Sequence, residues 1–191
     1  MLNIVLFGPP GAGKGTQAQY LIENFKLIHL STGDLLRDQI ARGTELGVKA
    51  KDLISKGELV PDDVVIGMIQ SKLEENSDSR GFIFDGFPRT TEQAGALDKL
   101  LAGIGTQISA MFALDVEKQE LINRLLERGK TSGRPDDQDV SVIENRITVY
   151  NRKTSPLIDY YSARGKFHAI RGMGTIEEIA ARLKDAIEKL D

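Results

Sequence analysis

The chain contains no cysteine among its 191 residues, so disulfide bonds, thiolate metal sites and a cysteine nucleophile are excluded. It also lacks tryptophan and has only two histidines, His29 and His168, each beside an apolar run. Neither histidine belongs to a metal-binding spacing such as HExxH, and no nucleophile elbow is present, so we interpret both as structural. The chain therefore offers few residues for acid–base catalysis.

The chain also lacks an excess of positive charge and a long apolar run. Its 25 Lys and Arg against 28 Asp and Glu give a net charge of −3, which offers no general attraction for nucleic acid or an anionic membrane. The apolar run at residues 2–7 is too short for a signal peptide or a membrane span. We therefore expect one cytoplasmic domain over residues 1–191, without nucleic-acid or membrane partners.

The most informative motif is GPPGAGKGT at residues 8–16, which lies between an apolar run and a segment of helical periodicity. A strand, a glycine-rich turn and a helix that carries Lys14 are the parts of a phosphate-binding P-loop. Glycines let backbone N–H groups converge on phosphate oxygens, and the helix N-terminus adds partial positive charge. The usual P-loop motif has Ser or Thr directly after its lysine, whereas here Gly15 intervenes and the hydroxyl is on Thr16. Because GxGxxG is absent, we favour a nucleoside triphosphate site over a dinucleotide site.

Short apolar runs alternate with helical patterns along the whole chain. This alternation predicts an α/β, P-loop three-layer fold with a central five-stranded parallel sheet flanked by helices, and ligands at the carboxyl ends of the strands. The predicted strands are residues 2–7, 27–30, 82–85, 108–114 and 167–170, and the predicted helices are residues 14–25, 32–42, 45–56, 61–75, 91–102, 118–128, 139–162 and 175–190.

Three features interrupt the alternation. Residues 31–60 hold two helical patterns without a strand, which indicates an inserted helical flap. Residues 129–135, GKTSGRP, are polar and rich in turn formers, which indicates a mobile loop that serves as a short lid. Pro156 is expected to kink or divide the predicted helix at residues 139–162.

A second set of phosphate-binding residues begins at FIFDGFPR, residues 82–89. A strand that ends in Asp85 places a carboxylate where a P-loop protein meets Mg²⁺ or its water shell. Arg89 follows at the same strand end, and its planar guanidinium suits phosphate. Four further arginines flank the predicted lid: Arg124, Arg128, Arg134 and Arg146. We interpret Arg42, Arg80 and Arg182 as surface charges.

This combination of many cations and few bases suits one type of reaction. Phosphoryl transfer to an acceptor that is already anionic requires positioning and charge neutralisation rather than a strong base. Arginines that meet the transferred group can supply roughly 10³–10⁵ in rate.

Six stretches resemble the nucleoside monophosphate kinases, and most closely the adenylate kinases, in the family's order and over most of the chain. They are GPPGAGKGT (8–16), LSTGDLLR (30–37), KGELVPDDVV (56–65), FDGFPRTTEQA (84–94), LINRLLERG (121–129) and GRPDD (133–137). The resemblance implies transfer from Mg·ATP to AMP giving two ADP, with a P-loop core, an NMP-binding flap at 31–60 and a lid at 129–135. It implies a monomer whose partners are ATP, AMP and ADP. The seven-residue lid and the absence of cysteine remove any expectation of zinc.

The resemblance also implies roles on the ATP side. The loop that cradles the phosphates consists of Gly11, Ala12, Gly13, Lys14, Gly15 and Thr16, with Lys14 on the transferred group. Arg124 and Arg128 lie on this side, with Arg128 flat against the adenine, and Gly174 offers a backbone contact to the same ring. Asp85, helped by Asp34, orients magnesium-bound water near Thr16, without a direct protein ligand to the metal.

On the AMP side, the resemblance implies a site made of Thr32, Arg37, Glu58, Leu59, Val60, Gly86, Phe87, Pro88, Arg89 and Gln93. Arg37 and Arg89 hold the AMP phosphate, and Gln93 reads the adenine edge. Arg134 and Arg146 bridge the two phosphate chains, and Asp136 and Asp137 position the lid arginine. The implied catalytic set is Lys14, Asp85, Arg89, Arg124, Arg134 and Arg146.

Three other functions are open to this sequence. A UMP/CMP kinase tends to have Ala where this chain has Thr32, and Asn where it has Thr90, so both positions favour AMP. A kinase of the shikimate type shares the P-loop core, but FDGFPRTTEQ argues against it. A nucleotide-dependent switch like a GTPase predicts an NKxD tetrapeptide, which the sequence does not contain.

Overall fold

The computed structural model describes residues 1–190. Its core is a sheet of five parallel strands in the order β2-β3-β1-β4-β5, as the alternation of elements predicts. The strands are β1 (Ile4–Phe7), β2 (Ile28–Ser31), β3 (Phe82–Asp85), β4 (Ala110–Asp115) and β5 (Phe167–Arg171). The P-loop leaves β1 and the FDGFPR segment leaves β3. Because these strands are neighbours, both segments emerge at one edge of the sheet.

Nine α-helices are present in the described part of the chain. They are α1 (Lys14–Phe25), α2 (Thr32–Ala41), α3 (Glu45–Ser55), α4 (Asp62–Glu75), α5 (Thr91–Gly103), α6 (Lys118–Ser132), α7 (Val140–Val149), α8 (Leu157–Ser162) and α9 (Ile176–Ile187). A 3₁₀ turn covers Pro135–Asp137 and a π-helical turn covers Tyr150–Thr154. None of these helices combines the length and apolar character that a membrane crossing requires.

The sheet is buried on both faces, which gives the three layers that the sequence predicts. In β1, Ile4 and Leu6 pack with α1 and α9, whereas Val5 and Phe7 pack with α4, α5 and α8. All four side chains of β1 are at most 3% exposed. Alternate residues of one strand therefore enter two separate cores, which explains why the strand is a continuous apolar run.

Helices α2 and α3 follow β2 directly, and no strand lies between them. The side chain of Ser31 accepts a hydrogen bond from the N–H of Asp34 and so caps α2, while Thr44 caps α3 in the same way through Gly47. Gly47 also lies against the backbone of Gln39, so a side chain at position 47 would separate the two helices. The helical insertion therefore has local capping signals of its own.

The predicted loop at residues 129–135 is wrong in its first half. Helix α6 continues through Ser132, so only Gly133 and Arg134 separate it from the 3₁₀ turn. Gly129 is helical, and a Cβ at this position would lie 2.5 Å from the carbonyl oxygen of Asp137. This glycine allows close packing rather than a turn, whereas Gly133, with φ of 65°, ends the helix.

The predicted helix at residues 139–162 is divided, as Pro156 predicts, but the change begins earlier. Helix α7 ends at Val149, and the N–H of Ser155 donates to the carbonyl of Tyr150, five residues back. Pro156 has no N–H to continue the α-helical ladder, and α8 starts after it. The π-helical turn carries Tyr150 and Thr154 to the edge of the sheet where the P-loop lies.

Candidate active site

The P-loop leaves the N-terminus of α1 open. Gly13 is the N-cap residue, with φ of 92° and no side-chain cap, and the first turn of α1 contains no acidic residue. Gly11 has φ of 84°, and a Cβ there would lie 2.9 Å from the carbonyl oxygen of Leu121. The first N–H groups of α1 and its helix dipole are therefore without competition from a side chain, which is an anion-binding arrangement.

Lys14 provides the full positive charge of this loop. Its Nζ donates hydrogen bonds to the carbonyl oxygens of Gly8 at 2.8 Å and Pro9 at 3.1 Å. Burial lowers the pKa of Lys14 to about 8, and the negative charge of Asp85 only partly offsets this. The positive charges of Arg89, Arg146 and Arg128 lower the pKa further. The site is thus electrostatically unfavourable for its own lysine and favourable for an added anion.

Asp85 ends β3 beside the P-loop and is 8% exposed. Its Oδ2 lies 3.4 Å from Nε2 of His29, and a Cβ on Gly15 would lie 3.7 Å from the same oxygen. Burial is the strongest influence and opposes ionisation, but the hydrogen bond from His29 and the charge of Lys14 hold the pKa of Asp85 below its usual value. His29, which the sequence indicates only as structural, therefore contacts a predicted site residue.

The carboxylates at residues 136 and 137 organise two of the arginines. Asp137 is fully buried and binds Arg128 through both oxygens, at 2.6 and 2.9 Å. Nη1 of Arg146 lies 2.7 Å from Asp137 and 3.0 Å from Asp136. Burial again opposes ionisation of Asp137, but the hydrogen bond and charge of Arg128 lower its pKa. This differs from the implied role, in which both aspartates position Arg134.

Arg134 instead faces the helical insertion. Its Nη2 lies 3.6 Å from Oδ1 of Asp34, which also pairs with Arg37 within α2. Burial and the charge of Arg37 lower the pKa of Arg134. The structure therefore places Asp34 with these two arginines rather than with Asp85. The cause is the extension of α6, which leaves Arg134 in a two-residue link across from α2.

Arg124 and Arg128 are separated by one helical turn and bind different partners. Arg124 donates to Glu120 at 2.7 Å and to the carbonyl oxygen of Gly172 at 3.2 Å. It therefore lies against the loop that contains Gly174, whereas Arg128 is held by Asp137. The side chain of Arg182 donates to the carbonyl oxygens of Arg171 and Met173, so this presumed surface charge shapes the same loop.

A cleft that is partly open to solvent lies between the P-loop, the helical insertion and α7. Most residues implied for the AMP site line it, together with Lys14: Thr32, Arg37, Glu58, Leu59, Val60, Gly86, Pro88, Arg89, Gln93 and Arg146. Phe87 and Arg134 are the exceptions. The side chain of Phe87 is 1% exposed and belongs to the hydrophobic core, and Arg134 does not line the cleft. Burial and the charge of Arg146 lower the pKa of Arg89.

Sequence reasoning missed the apolar wall of this cleft. The wall consists of Leu36, Ile54, Val65, Val149 and Tyr150, with Thr154 next to them. Each belongs to a helix or to the π-helical turn, where an apolar residue is normally interpreted as core. Only the packing of α2, α3, α4 and α7 around one opening distinguishes these residues, and no local pattern predicts it.

Comparison with known proteins supplies the context for this geometry. A sequence model of the family described as adenylate kinase matches residues 6–166. The chain is 55% identical over 190 residues to the adenylate kinase of Flavobacterium psychrophilum and 53% identical over 190 residues to that of Parabacteroides distasonis, and each match covers both chains completely. It is 47% identical over 187 residues to the adenylate kinase of Caulobacter vibrioides, a match that covers 98% of this chain and 97% of the relative.

Proposed function

Because the chain belongs to the adenylate kinase family, we infer that it catalyses the reversible transfer of the terminal phosphoryl group of ATP to AMP, giving two ADP. The supporting observation is one cleft that joins an open helix N-terminus and Lys14 to a second set of cations, Arg37, Arg89 and Arg146. Two phosphate-bearing ligands can meet there. The UMP/CMP alternative is not favoured, since the relatives at this identity are adenylate kinases.

ATP is proposed to bind along the P-loop. The backbone of residues 11–16 would receive its phosphates, and Lys14 would exchange its carbonyl partners for phosphate oxygens. The adenine would lie by the loop of Gly172 and Gly174. The contact between Arg124 and Gly172 supports Arg124, rather than Arg128, as the arginine nearest this ring. Arg128, held by Asp137, would then face the phosphates.

AMP is proposed to occupy the cleft beneath the helical insertion. Arg89 donates to the carbonyl oxygen of Gly86 through Nε, which leaves its terminal nitrogens for a phosphate. Arg37 lines the same cleft from α2. Thr32 donates to the carbonyl oxygen of Gly86 at 2.8 Å and joins the insertion to the end of β3. The base would lie near Gln93, and residues 58–60 would provide the opposite wall.

In the transfer step, an oxygen of the AMP phosphate forms a bond to the terminal phosphorus of ATP, and the bond to the bridging oxygen breaks. The attacking oxygen is already anionic, so no residue is required to remove a proton. Lys14, Arg134 and Arg146 are proposed to neutralise the charge that spreads over the transferred group. We propose that residues 31–60 act as a flap over AMP and residues 129–135 as a short lid. The two segments approach each other at Asp34 and Arg134.

The donor set fits a magnesium ion that is held through water. Asp85 is buried, has a lowered pKa and lies next to Gly15, and Thr16 is exposed one residue further on. In the described part of the chain, no group of three or more acidic or histidine side chains forms a direct metal site. Bound with ATP, the ion would supply positive charge to the phosphate oxygens. Asp85 and Thr16 would hold its water shell. The family resemblance also supports a cytoplasmic monomer, and light scattering on the purified chain tests its mass.

Lys14→Ala tests this assignment. Since Lys14 faces charge that grows in the transition state, we expect kcat to fall by several orders of magnitude, while circular dichroism shows a folded protein. Lys99→Ala, on the exposed side of α5, is the matched control and should retain wild-type kcat. A wild-type kcat in Lys14→Ala would remove the P-loop from the mechanism.

A further inference from the structure

Gln93 is held at both ends of its side-chain amide. The residue is 2% exposed and lines the cleft. Its Oε1 accepts a hydrogen bond from the N–H of Arg89 at 2.7 Å, and its Nε2 donates to Oδ1 of Asp62 at 2.7 Å. A glutamine amide has two N–H donors and two oxygen lone pairs, so one of each remains for a ligand.

These two partners determine which atom of the amide is oxygen and which is nitrogen. In the reversed orientation, the NH₂ group would face the N–H of Arg89, and the amide oxygen would face the carboxylate of Asp62. Both contacts would be repulsive, and because the Gln93 side chain is 2% exposed, its unpaired amide atoms would have little access to water, which is costly. The orientation of Gln93 is therefore a property of the folded protein and does not wait for a ligand.

Asp62 is itself fixed by a neighbour. It begins α4, and its second oxygen, Oδ2, accepts a hydrogen bond from the hydroxyl of Thr90 at 3.0 Å. Thr90 is the N-cap of α5 and accepts from the N–H of Gln93 at 3.2 Å. The network thus joins the first turns of two helices, and both carboxylate oxygens of Asp62 have a donor.

We propose that Asp62, supported by Thr90, is a positioning residue that sets the preference for adenine by holding the Gln93 amide in one orientation. This inference rests on the proposed function in one respect, that the acceptor base lies at Gln93. In adenine, position 6 carries a hydrogen-bond donor, whereas in hypoxanthine it carries an acceptor oxygen. An amide oxygen that cannot turn away accepts from the first and repels the second.

The test compares AMP with IMP as acceptors, because their bases differ only at position 6 and in the N1 proton. With ATP as donor, kcat and KM are determined by ion-exchange separation of the nucleotides. In Asp62→Asn the new amide can donate to a reversed Gln93, so that only the N–H of Arg89 still opposes reversal, and we expect the AMP-to-IMP ratio of kcat/KM to fall about tenfold. The change should appear in the KM of the acceptors, with the KM of ATP unchanged.

Asp63→Asn is the matched control, because Asp63 is an exposed carboxylate in the same turn of α4. It should keep the wild-type ratio, and so should Thr90→Ser, which retains the hydroxyl. Asp62→Ser, which also removes the carboxylate, should lower the ratio and replaces Asp62→Asn if that variant does not fold. Equal losses for AMP and IMP in the Asp62 variants would overturn the proposal, since they indicate a purely structural role.

A separate variant tests the premise that the acceptor base lies at Gln93. Gln93→Leu removes the amide and should abolish most of the discrimination between AMP and IMP. A wild-type ratio in Gln93→Leu would overturn the proposal through its premise, because the base would then lie elsewhere. A lost ratio in Gln93→Leu, combined with a wild-type ratio in Asp62→Asn, would overturn the role of Asp62 alone and leave the AMP site in place.

Discussion

The lowered pKa of Lys14 predicts that ATP binding takes up protons. In the free protein this pKa is about 8, because burial disfavours the charged form. A polyphosphate beside the ammonium would favour that form and raise the pKa towards its ordinary value of 10.5. Lys14 is then about half protonated before binding at pH 8, and about nine-tenths unprotonated at pH 9. Binding should therefore take up about 0.5 proton at pH 8 and about 0.9 at pH 9.

The affinity for ATP should fall as the pH rises. If only protonated Lys14 binds ATP well, the apparent Kd rises in proportion to 1 + 10^(pH − 8), which is about fivefold between pH 8 and pH 9. Isothermal titration calorimetry with Mg·ATP, in buffers that differ in ionisation enthalpy, measures both quantities. Above pH 8 the ATP phosphates are fully ionised, since a phosphate has its second pKa near 6. They do not contribute to the proton count.

Lys14→Arg is the control for this experiment, because an arginine stays charged over the whole range. The variant should bind ATP with no proton uptake and with a Kd that does not change between pH 8 and pH 9. Folding has the opposite sign, because the folded protein binds fewer protons at Lys14 than the unfolded chain does. Burial of Lys14 costs stability at neutral pH, and this cost disappears as the pH rises from about 8 towards the ordinary value of 10.5. Wild-type protein that binds ATP without proton uptake at pH 8 and 9 would refute the reasoning.

Three other perturbations test the site. Arg89→Ala should raise the KM of AMP far more than that of ATP, and equal effects on both would refute the separation of the two subsites. Asp137→Asn leaves two arginines without their buried partner and should cost about 3–5 kcal/mol in urea unfolding at pH 7. Since the pKa of Asp137 is lowered, the difference in unfolding free energy between wild type and variant should shrink as the pH falls below the ordinary value of 3.8. A difference that stays the same at low pH would contradict the ion-pair interpretation. Gly57→Ala places a Cβ 2.7 Å from Cγ of Arg146 at φ of 75°, so kcat should fall, whereas Gly105→Ala, at φ of 72° with open space around it, should lose stability but not kcat.

The sheet could be predicted from the sequence because local patterns determine it. Each strand of a doubly covered parallel sheet is a short apolar run, and all five runs were recognisable, with ends that differ by up to two residues. Ile108, placed in a strand by its composition, is buried just before β4 begins at Ala110. Burial and strand pairing are separate properties here, and an apolar run reports only the first.

The C-terminal end of α6 shows where local signals are misleading. Gly129 and Gly133 look alike in sequence, but one permits contact with the backbone of Asp137 and the other ends the helix. The partner of Gly129 lies in the 3₁₀ turn after the helix has ended, so the periodicity of α6 does not reveal the reason for its presence. The family resemblance implied that Asp136 and Asp137 position Arg134, whereas in the structure they bind Arg128 and Arg146.

The motifs and the family resemblance point to the cations that the structure brings to this part of the fold, but nothing in the sequence points to their supporting partners. Asp62 occupies the first turn of a helix, where an acidic residue is expected for its interaction with the helix dipole alone. Its contacts with Thr90 and Gln93 span about thirty residues of chain and exist only after α4 and α5 have packed. His29 beside Asp85 has the same origin, since neighbouring strands bring the two together.

Incubation of the protein with Mg²⁺ and ADP alone tests the central claim most directly. No coupling enzyme is needed, because ion-exchange chromatography separates the three adenine nucleotides. The account predicts ATP and AMP in equal amounts from ADP, little turnover of UDP or CDP in parallel reactions, and no products with Lys14→Ala. AMP without ATP, or free phosphate, would indicate hydrolysis and contradict reversible phosphoryl transfer between two nucleotides in one cleft.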